Sequence, residues 1–414
     1  MPEGTTHALW RALITAGALL LSACVIAQGG DSDHFDDIQR GRYLTLAADC
    51  GACHTDPAGG RPFAGGRPVH TPFGTVVAAN ITPDAETGIG NWSDAQFEAA
   101  IRQGIRADGK RLYPAMPYPY FVTLTPDDVQ AIHAYLKSVA PVHQHVATNR
   151  LPFPFRERIV MRVWNALYFD GSEFKPDHGK SDSWNRGAYL VQGAGHCGAC
   201  HTPKGLLGGD KTQQSLHGDS QQGWFAPNIT ADAVRGIADW SSNDIVAYLK
   251  TGHNQFAAAA GPMAEVVTDS TAKLTEADLT AIATYLKDQP GTTAHHTALS
   301  AQDPAMVAGA AIYSDLCSAC HKPDGSGVPY LIPNLVRSDS IASREPTSLL
   351  HVVLHGAQTA ATGAEPTAPA MPGFGRQLND AQVAAVVTYV RNSWGHAASA
   401  VAAADVRAAR AKHE

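Results

Sequence analysis

Six of the seven cysteines in this 414-residue chain lie in three copies of one pattern, Cys-x-x-Cys-His. This pattern is typical of c-type haem attachment, because the two thiols add to the haem vinyl groups and the adjacent imidazole binds the iron. The motifs therefore predict three covalently bound haem c groups. The predicted thioether residues are Cys50, Cys53, Cys197, Cys200, Cys317 and Cys320, and the predicted proximal ligands are His54, His201 and His321.

Paired cysteines also occur in thioredoxin-like sites, zinc sites and disulfides. A thioredoxin-like pair is flanked by a βαβ pattern and needs no histidine directly after it. A zinc site takes four ligands, so the motifs would have to pair, and one of three identical motifs would have no partner. A disulfide between cysteines three residues apart closes too small a loop to restrain much of the chain. Only haem attachment explains both the histidine and the threefold repeat.

A second axial ligand is expected at a regular distance after each motif. Met116 lies 62 residues after His54, Met263 lies 62 after His201, and Met371 lies 50 after His321. All three methionines have proline or glycine neighbours, which predicts loops rather than helix faces. A thioether on a loop can approach the iron, so Met116, Met263 and Met371 are predicted as the sixth ligands.

A helix start is predicted shortly after each of these methionines. Thr125, Thr275 and Asn379 occupy the cap positions, and each is followed three residues later by an acid or an amide, which predicts a capping box. Helices also precede each motif. In such a unit the first and last helices cross and bury their aromatic residues. The glycine and tyrosine residues expected at the crossings are Gly41, Tyr43, Gly187, Tyr189, Gly309 and Tyr313.

Copies one and two share further features, which indicates duplication. Asn80-Ile81-Thr82 matches Asn228-Ile229-Thr230, and a tryptophan follows at position 92 or 240. The indoles of Trp92 and Trp240 either donate to a haem propionate or belong only to the core. The carbonyls of Pro227 and Pro333 are candidates to accept from the ligating histidines, with the backbone of Ala79 in the corresponding place of copy one.

The repeat predicts helical domains at 36–145, 181–292 and 300–397. Residues 146–180 form a linker whose segment 156–169 has the apolar pattern of a helix. This helix is expected either to pack between domains or to contact a membrane or a partner. The alanine-rich tail, 398–414, is expected to be either an interfacial helix or a frayed terminus.

The N-terminus predicts export. Arg11 precedes an apolar stretch typical of a signal peptide, so residues 1–27 are excluded from the fold. Leu21-Ser22-Ala23-Cys24 resembles a lipobox, in which Cys24 would be lipidated. The alternative is ordinary cleavage after Ala27. The predicted location is the periplasmic side of the bacterial cytoplasmic membrane.

Composition narrows the class of protein. The formal net charge is −7 and charged residues make up 17% of the chain, whereas nucleic-acid-binding proteins are normally basic. No apolar run reaches the roughly 18 residues that a membrane-spanning helix needs. We therefore expect neither nucleic-acid binding nor an integral membrane protein.

With these motifs in place, almost the whole mature chain resembles the triheme cytochrome c subunit of bacterial membrane-associated dehydrogenases, including alcohol, gluconate and sorbitol dehydrogenases. The resemblance is close at 185–197 and 369–372. It implies a mainly α fold of three tandem cytochrome c-like domains, each with one covalently bound haem. It also implies a flavin- or quinone-dependent catalytic subunit as electron donor, membrane quinone or the terminal respiratory chain as acceptor, and association with the membrane surface.

The ligand set also bears on enzymatic activity. A haem with both axial positions filled has no site for peroxide or oxygen, so a haem peroxidase or reductase is disfavoured. No dinucleotide-binding fingerprint is present in the sequence, which places substrate oxidation on another chain. A stand-alone periplasmic electron shuttle without a dedicated partner remains the alternative.

Overall fold

A computed structural model describes residues 35–291, 297–343 and 345–411. The predicted signal peptide and Cys24 lie outside these residues. The chain is mainly helical, with 42% helix and 8% strand, which confirms the predicted fold class. The domain boundaries given above stay a prediction.

Domain 1 has a helix before the motif, a hairpin after it, and three further helices. Its elements are α1 (35–47), α2 (Cys50–His54), β1 (Pro68–Thr71), β2 (Gly74–Val77), α3 (Asp94–Gln103), α4 (Tyr118–Phe121) and α5 (Pro126–Ser138). Helix α3 begins at a capping box formed by Ser93 and Gln96 and ends at Gly104, whose backbone is left-handed.

Domain 2 repeats this order after the linker helix α6 (Ile159–Tyr168). The helix before its motif continues into one π-helical segment, Leu190–Ala194, immediately before the second motif. Its elements are α7 (Asp182–Tyr189), α8 (Gly198–His201), β3 (Asp219–Gln221), β4 (Trp224–Ala226), α9 (Ser242–Thr251), α10 (Pro262–Asp269) and α11 (Glu276–Lys287).

Domain 3 keeps the first and last helices but has its two-stranded sheet later in the chain. Its elements are α12 (Pro304–Leu316), α13 (Ser318–His321), α14 (Asp339–Ala342), α15 (Thr347–His355), β5 (Ala357–Gln358), β6 (Ala370–Met371) and α16 (Asp380–Val390), and α17 (Ala403–Ala411) follows in the tail. All three two-stranded sheets of the described chain are antiparallel.

The first and last helices of each domain cross at a glycine, as the sequence predicts. A Cβ atom on Gly41 would lie 1.8 Å from the carbonyl oxygen of Ala131, and one on Gly187 would lie 1.9 Å from that of Ala281. At Gly309 the corresponding distance, to the oxygen of Ala385, is 2.2 Å. No side chain fits at these positions, so glycine sets the close approach of the two helices.

The helix caps differ in part from the prediction. Thr125, Thr275 and Asn379 all cap their helices through the side chain, but only Asn379 forms the reciprocal capping box, with Gln382. The backbone N–H of Thr125 donates instead to the hydroxyl of Tyr189, 3.0 Å away. The capping box predicted at the first two helices is therefore wrong, because a tyrosine from another domain accepts that N–H.

The hydrogen bonds between domains 1 and 2 are reciprocal. Tyr189 of domain 2 donates to the carboxylate of Asp128 in domain 1. Tyr43 of domain 1 donates to Asp278 in domain 2, at 2.6 Å, and accepts from the N–H of Thr275. Each carboxylate also pairs with an arginine of its own domain. The duplicated domains thus pack through matching residues.

The hydrophobic core is likewise shared by domains 1 and 2 and separate in domain 3. Buried residues of domains 1 and 2 form one continuous cluster that runs from Leu44 through Leu136 and Leu190 to Leu286. Domain 3 has its own cluster around Val383 and Val387. In domain 3, Tyr313 stays inside the domain, where its hydroxyl donates to the carbonyl of Lys322 at 2.6 Å.

The linker helix α6 has one buried and one exposed face. Met161 and Trp164 are buried, and the indole N–H of Trp164 donates to the carbonyl of Leu207 in domain 2 at 2.9 Å. This face supports the predicted packing between domains. On the other face the exposed fractions of Ile159, Val163 and Leu167 are 61%, 60% and 61%. Within the described residues, no helix combines the length and the apolar character that a bilayer crossing requires.

The tail forms helix α17 and packs onto domain 3. Val406 is fully buried, and the guanidinium of Arg410 donates to Asp380 and to the carbonyl of Leu378, both at 3.1 Å. The expectation of a frayed terminus is therefore wrong for residues 403–411, whereas the interfacial helix stays a prediction. Burial of Val406 and the bonds of Arg410 fix this segment to the domain.

Candidate functional site

Each motif histidine is held by a backbone carbonyl. Nδ1 of His54 lies 2.7 Å from the oxygen of Ala79, Nδ1 of His201 lies 2.6 Å from that of Pro227, and Nδ1 of His321 lies 3.3 Å from that of Pro333. A carbonyl can only accept, so Nδ1 carries the proton and Nε2 keeps its lone pair for a metal. This confirms the carbonyl contacts predicted at Pro227 and Pro333, and the backbone of Ala79 serves the first copy.

Burial favours the neutral form of these imidazoles. Desolvation lowers the pKa of His54, His201 and His321 below the usual 6.5, and the carbonyl hydrogen bonds oppose the effect in part. A neutral imidazole with a fixed tautomer is the form that binds iron. The three imidazoles therefore have the protonation state and the tautomer that a proximal iron ligand requires.

None of the six motif cysteines forms a disulfide, and their setting is unlike that of a redox dithiol. Burial raises the pKa of Cys50 and of Cys197 to about 12, and that of Cys317 to about 11. Reactive cysteines have lowered pKa values because a nearby positive charge or a helix N-terminus stabilises the thiolate. The environment of these three thiols therefore opposes thioredoxin-like chemistry.

The predicted methionine ligands lie in three different local structures. Met116 lies in a bend, as predicted. Met263 is the second residue of helix α10, which starts at Pro262, and Met371 lies in strand β6, paired with Ala357. The prediction of a loop is wrong for these two. At Met263 the proline begins a helix, since its fixed φ suits the first helical position.

The structure joins the second and third sites in one cavity. A cavity of about 430 Å³ between domains 2 and 3 is lined by His201, Met263, His321 and Met371. The remaining lining is mostly apolar and includes Leu190, Ile237, Ile245, Leu249, Leu349 and Val353. Each histidine therefore faces the same space as the methionine predicted to complete its haem.

The cavity fits the predicted haem groups. It is apolar, and it is lined by three motif cysteines, Cys197, Cys200 and Cys317, and by Trp240. Nε1 of Trp240 is buried and has no acceptor among the described residues. An unpaired donor costs roughly 1–3 kcal/mol, and a haem propionate is the acceptor that the sequence suggested for it. The haem ring would contact the apolar walls, and a propionate carboxylate would accept the indole N–H of Trp240.

The first site is arranged differently. Met116 and Cys50 pack against the core shared by domains 1 and 2. His54 and Met116 are not among the residues described as lining the large cavity. Of domain 1, Ala47 and Asp49 reach that cavity, so the first motif borders the second site.

Two residues at this border were not predicted as functional. Asp49 and His196 directly precede the first cysteines of motifs one and two, and both have positive φ angles, 49° and 34°. Burial, with Asp269 nearby, raises the pKa of Asp49 to about 8. Desolvation lowers the pKa of His196. Their matched positions in the repeat were the available sequence evidence, but the burial that perturbs them arises only when domains 1 and 2 pack together.

Comparison with known families agrees with this geometry. Residues 38–140, 185–290 and 306–394 each match the family described as cytochrome c. The chain belongs to the cytochrome c family. Three such domains, each with its own cysteine pair, point to three covalently bound haem c groups in this cytochrome.

Curated relatives cover nearly the full length of the cytochrome. It is 40% identical to the gluconate 2-dehydrogenase cytochrome c subunit of Pantoea cypripedii, over 95% of this chain and 94% of that one. It is 39% identical to the cytochrome c subunit of a quinone alcohol dehydrogenase of Gluconacetobacter polyoxogenes, over 94% and 86% of the two chains. The fructose dehydrogenase cytochrome subunit of Gluconobacter japonicus is 38% identical, over 92% and 84%.

Proposed function

We propose that this cytochrome is the electron-transfer subunit of a dehydrogenase complex, carrying electrons from a flavin- or quinone-dependent catalytic subunit to membrane quinone or the terminal respiratory chain. The observation that carries the proposal is the threefold motif in which each histidine is fixed through Nδ1 by a backbone carbonyl. Relatives that match over most of both chains are named as cytochrome subunits of dehydrogenases, not as their catalytic subunits.

The proposed ligand pairs are His54 with Met116, His201 with Met263, and His321 with Met371. Support comes from the shared cavity, which is lined by both residues of each of the last two pairs. When bound, haem supplies one-electron exchange at iron. The chain's own residues hold the ring by thioethers, fix the imidazoles by their Nδ1 protons, and keep water from the apolar cavity. A thioether ligand favours the ferrous state, so these sites suit an electron acceptor.

The periplasmic location and membrane association are also proposed. The mildly acidic chain would be exported and held at the membrane surface by the predicted lipid on Cys24, which lies outside the described residues. The exposed apolar face of α6, formed by Ile159, Val163 and Leu167, supports a second contact with the membrane surface. Arg162, on the same helix, is exposed and would face anionic headgroups.

A fractionation experiment tests the attachment. Cys24→Ser should move the cytochrome from the membrane fraction to the soluble periplasm, with α6 giving only weak residual binding, since one short amphipathic contact binds reversibly. Full membrane retention of the variant, together with full retention when Val163→Glu is added, would overturn both proposed contacts.

Substrate-driven reduction tests the function itself. The cytochrome should be purified from its native host under mild conditions, and any large co-purifying dehydrogenase chain identified by mass spectrometry. Gluconate, ethanol and fructose should be added in turn to the oxidised complex while haem absorbance is followed. One substrate should reduce the haems in the complex but not in the isolated cytochrome. If no catalytic chain accompanies it and soluble donors alone reduce it, the stand-alone shuttle is the better account.

A further inference from the structure

A group of metal-binding side chains lies on the surface of domain 1, away from the predicted haem ligands. Glu86, His143 and His145 are all exposed, and one potential ligand atom from each lies within 4.8 Å of the others. The two histidine rings are 5.3 Å apart between centroids and nearly perpendicular, at 85°. Two imidazoles and a carboxylate therefore converge from two segments that are distant in sequence.

Buried hydrogen bonds hold these two segments together. The amide of Asn80, which is 3% exposed, donates to the hydroxyl of Thr87 at 3.0 Å and to the carbonyl of Val142 at 2.7 Å. The backbone N–H of Gln144 donates to Thr87 at 3.0 Å. Thr87 adjoins Glu86, and Val142 and Gln144 flank His143. The backbone beneath the three side chains is thus fixed before any ion binds.

A fourth residue lies beside one imidazole. Nδ1 of His143 lies 3.5 Å from Oδ1 of Asp84. Metal-binding histidines commonly donate their second ring nitrogen to a carboxylate, which fixes the tautomer and the orientation of the ring. Asp84 can play that part, leaving Nε2 of His143 free for the ion.

We propose that Glu86, His143 and His145 bind a divalent first-row transition-metal ion, with Asp84 as a positioning residue. Imidazole nitrogens select Zn²⁺, Cu²⁺ or Ni²⁺, whereas Ca²⁺ and Mg²⁺ require sites built from oxygen ligands. Ligand atoms about 2.0–2.1 Å from Zn²⁺ in a tetrahedron are about 3.3 Å apart. The three ligand atoms lie within 4.8 Å of one another, and rotation of the exposed side chains would bring them to this shorter distance. Water fills the coordination positions that remain.

The bound ion would join two parts of domain 1. Glu86 belongs to the loop that begins beside Ala79, the residue whose carbonyl holds His54. His143 and His145 belong to the segment by which the chain leaves helix α5. An ion bound to all three ties this exit segment to the loop, and binding to the folded form alone stabilises domain 1 by mass action.

The test is a titration of the untagged, haem-loaded cytochrome with ZnCl₂, followed by isothermal calorimetry. One site should be found that His143→Ala, His145→Ala or Glu86→Ala each weakens at least ~10-fold, and Asp84→Asn should weaken it by roughly 10-fold. CuCl₂ should bind more tightly than ZnCl₂, and MgCl₂ should not compete. His178→Ala, which removes an exposed linker histidine, is the matched control and should leave the affinity unchanged.

Thermal unfolding followed by circular dichroism gives a second measurement. Saturating Zn²⁺ should raise the midpoint of the wild type and the His178→Ala variant but not that of His145→Ala. Haem absorbance of each variant should match the wild type, which shows that they fold. Zn²⁺ affinity that is the same in wild type and His143→Ala, or equal affinity for Mg²⁺, would overturn the proposal.

Discussion

Replacing Gly187 by alanine tests the helix crossing that positions the second haem site. The added Cβ would lie 1.9 Å from the carbonyl oxygen of Ala281 and 2.9 Å from Cβ of Tyr285. An ordinary contact at such an oxygen is about 3.4 Å, so helices α7 and α11 must separate by roughly 1.5 Å at this point. Overpacking of this kind costs about 1–3 kcal/mol. Because alanine gains about 1 kcal/mol over glycine within a helix, any net loss comes from the crossing.

The measurement is guanidinium unfolding of the holoprotein followed by far-ultraviolet circular dichroism. We expect Gly187→Ala to lower the free energy of unfolding by about 1–2 kcal/mol, because so large a separation takes the upper part of the overpacking cost and the gain of about 1 kcal/mol from alanine is subtracted from it. Gly205→Ala is the control in the same domain, because its Cβ would meet nothing closer than 3.6 Å, and it should change stability by less than about 0.5 kcal/mol. A Gly187→Ala variant as stable as the wild type would refute the crossing geometry.

Two further predictions concern the border between domains 1 and 2. Tyr189→Phe removes a hydrogen bond to the buried carboxylate of Asp128 and leaves an N–H unpaired; it should cost about 1–3 kcal/mol in denaturant unfolding, with the exposed Tyr330→Phe as a near-neutral control. Burial raises the pKa of Asp49 from 3.8 to about 8. Between these values the folded protein keeps a proton that the unfolded chain releases, so wild-type stability falls as pH rises, by at most about 1.4 kcal/mol per pH unit. The free energy of unfolding of Asp49→Asn minus that of wild type should therefore increase as the pH rises between these two values. A difference that does not change with pH would contradict the raised pKa of Asp49.

The sequence predicted the features that repeat within a single domain. The motif helices, the helix crossings at Gly41, Gly187 and Gly309, and the carbonyls that hold the histidines follow from local spacing and from the duplication. These features depend on residues close in sequence or on the first and last helices of one domain. Their positions in the structure agree with that prediction.

What the sequence did not predict arises between domains. The N–H of Thr125 is accepted by Tyr189, 64 residues away and in another domain, so a local capping rule names the wrong acceptor. The perturbed pKa of Asp49 depends on burial against domain 2. The helix at Met263 was missed for a different reason, because a Gly-Pro pair marks both loops and helix starts, and only the conformation of the following residues decides between them.

The most direct test of the electron-transfer account is replacement of each proposed methionine ligand. Met116→Ala, Met263→Ala and Met371→Ala should each leave three thioether-bound haems by intact mass but turn one of them high-spin by electron paramagnetic resonance and reactive with carbon monoxide when reduced. Met161→Ala and Met306→Ala remove buried methionines that carry no such assignment, and all their haems should stay low-spin. In the complex, turnover with quinone should fall for the ligand variants, while turnover with a dye reduced at the catalytic subunit should persist. A ligand variant whose three haems all remain low-spin and unreactive with carbon monoxide would contradict the assignment of that methionine.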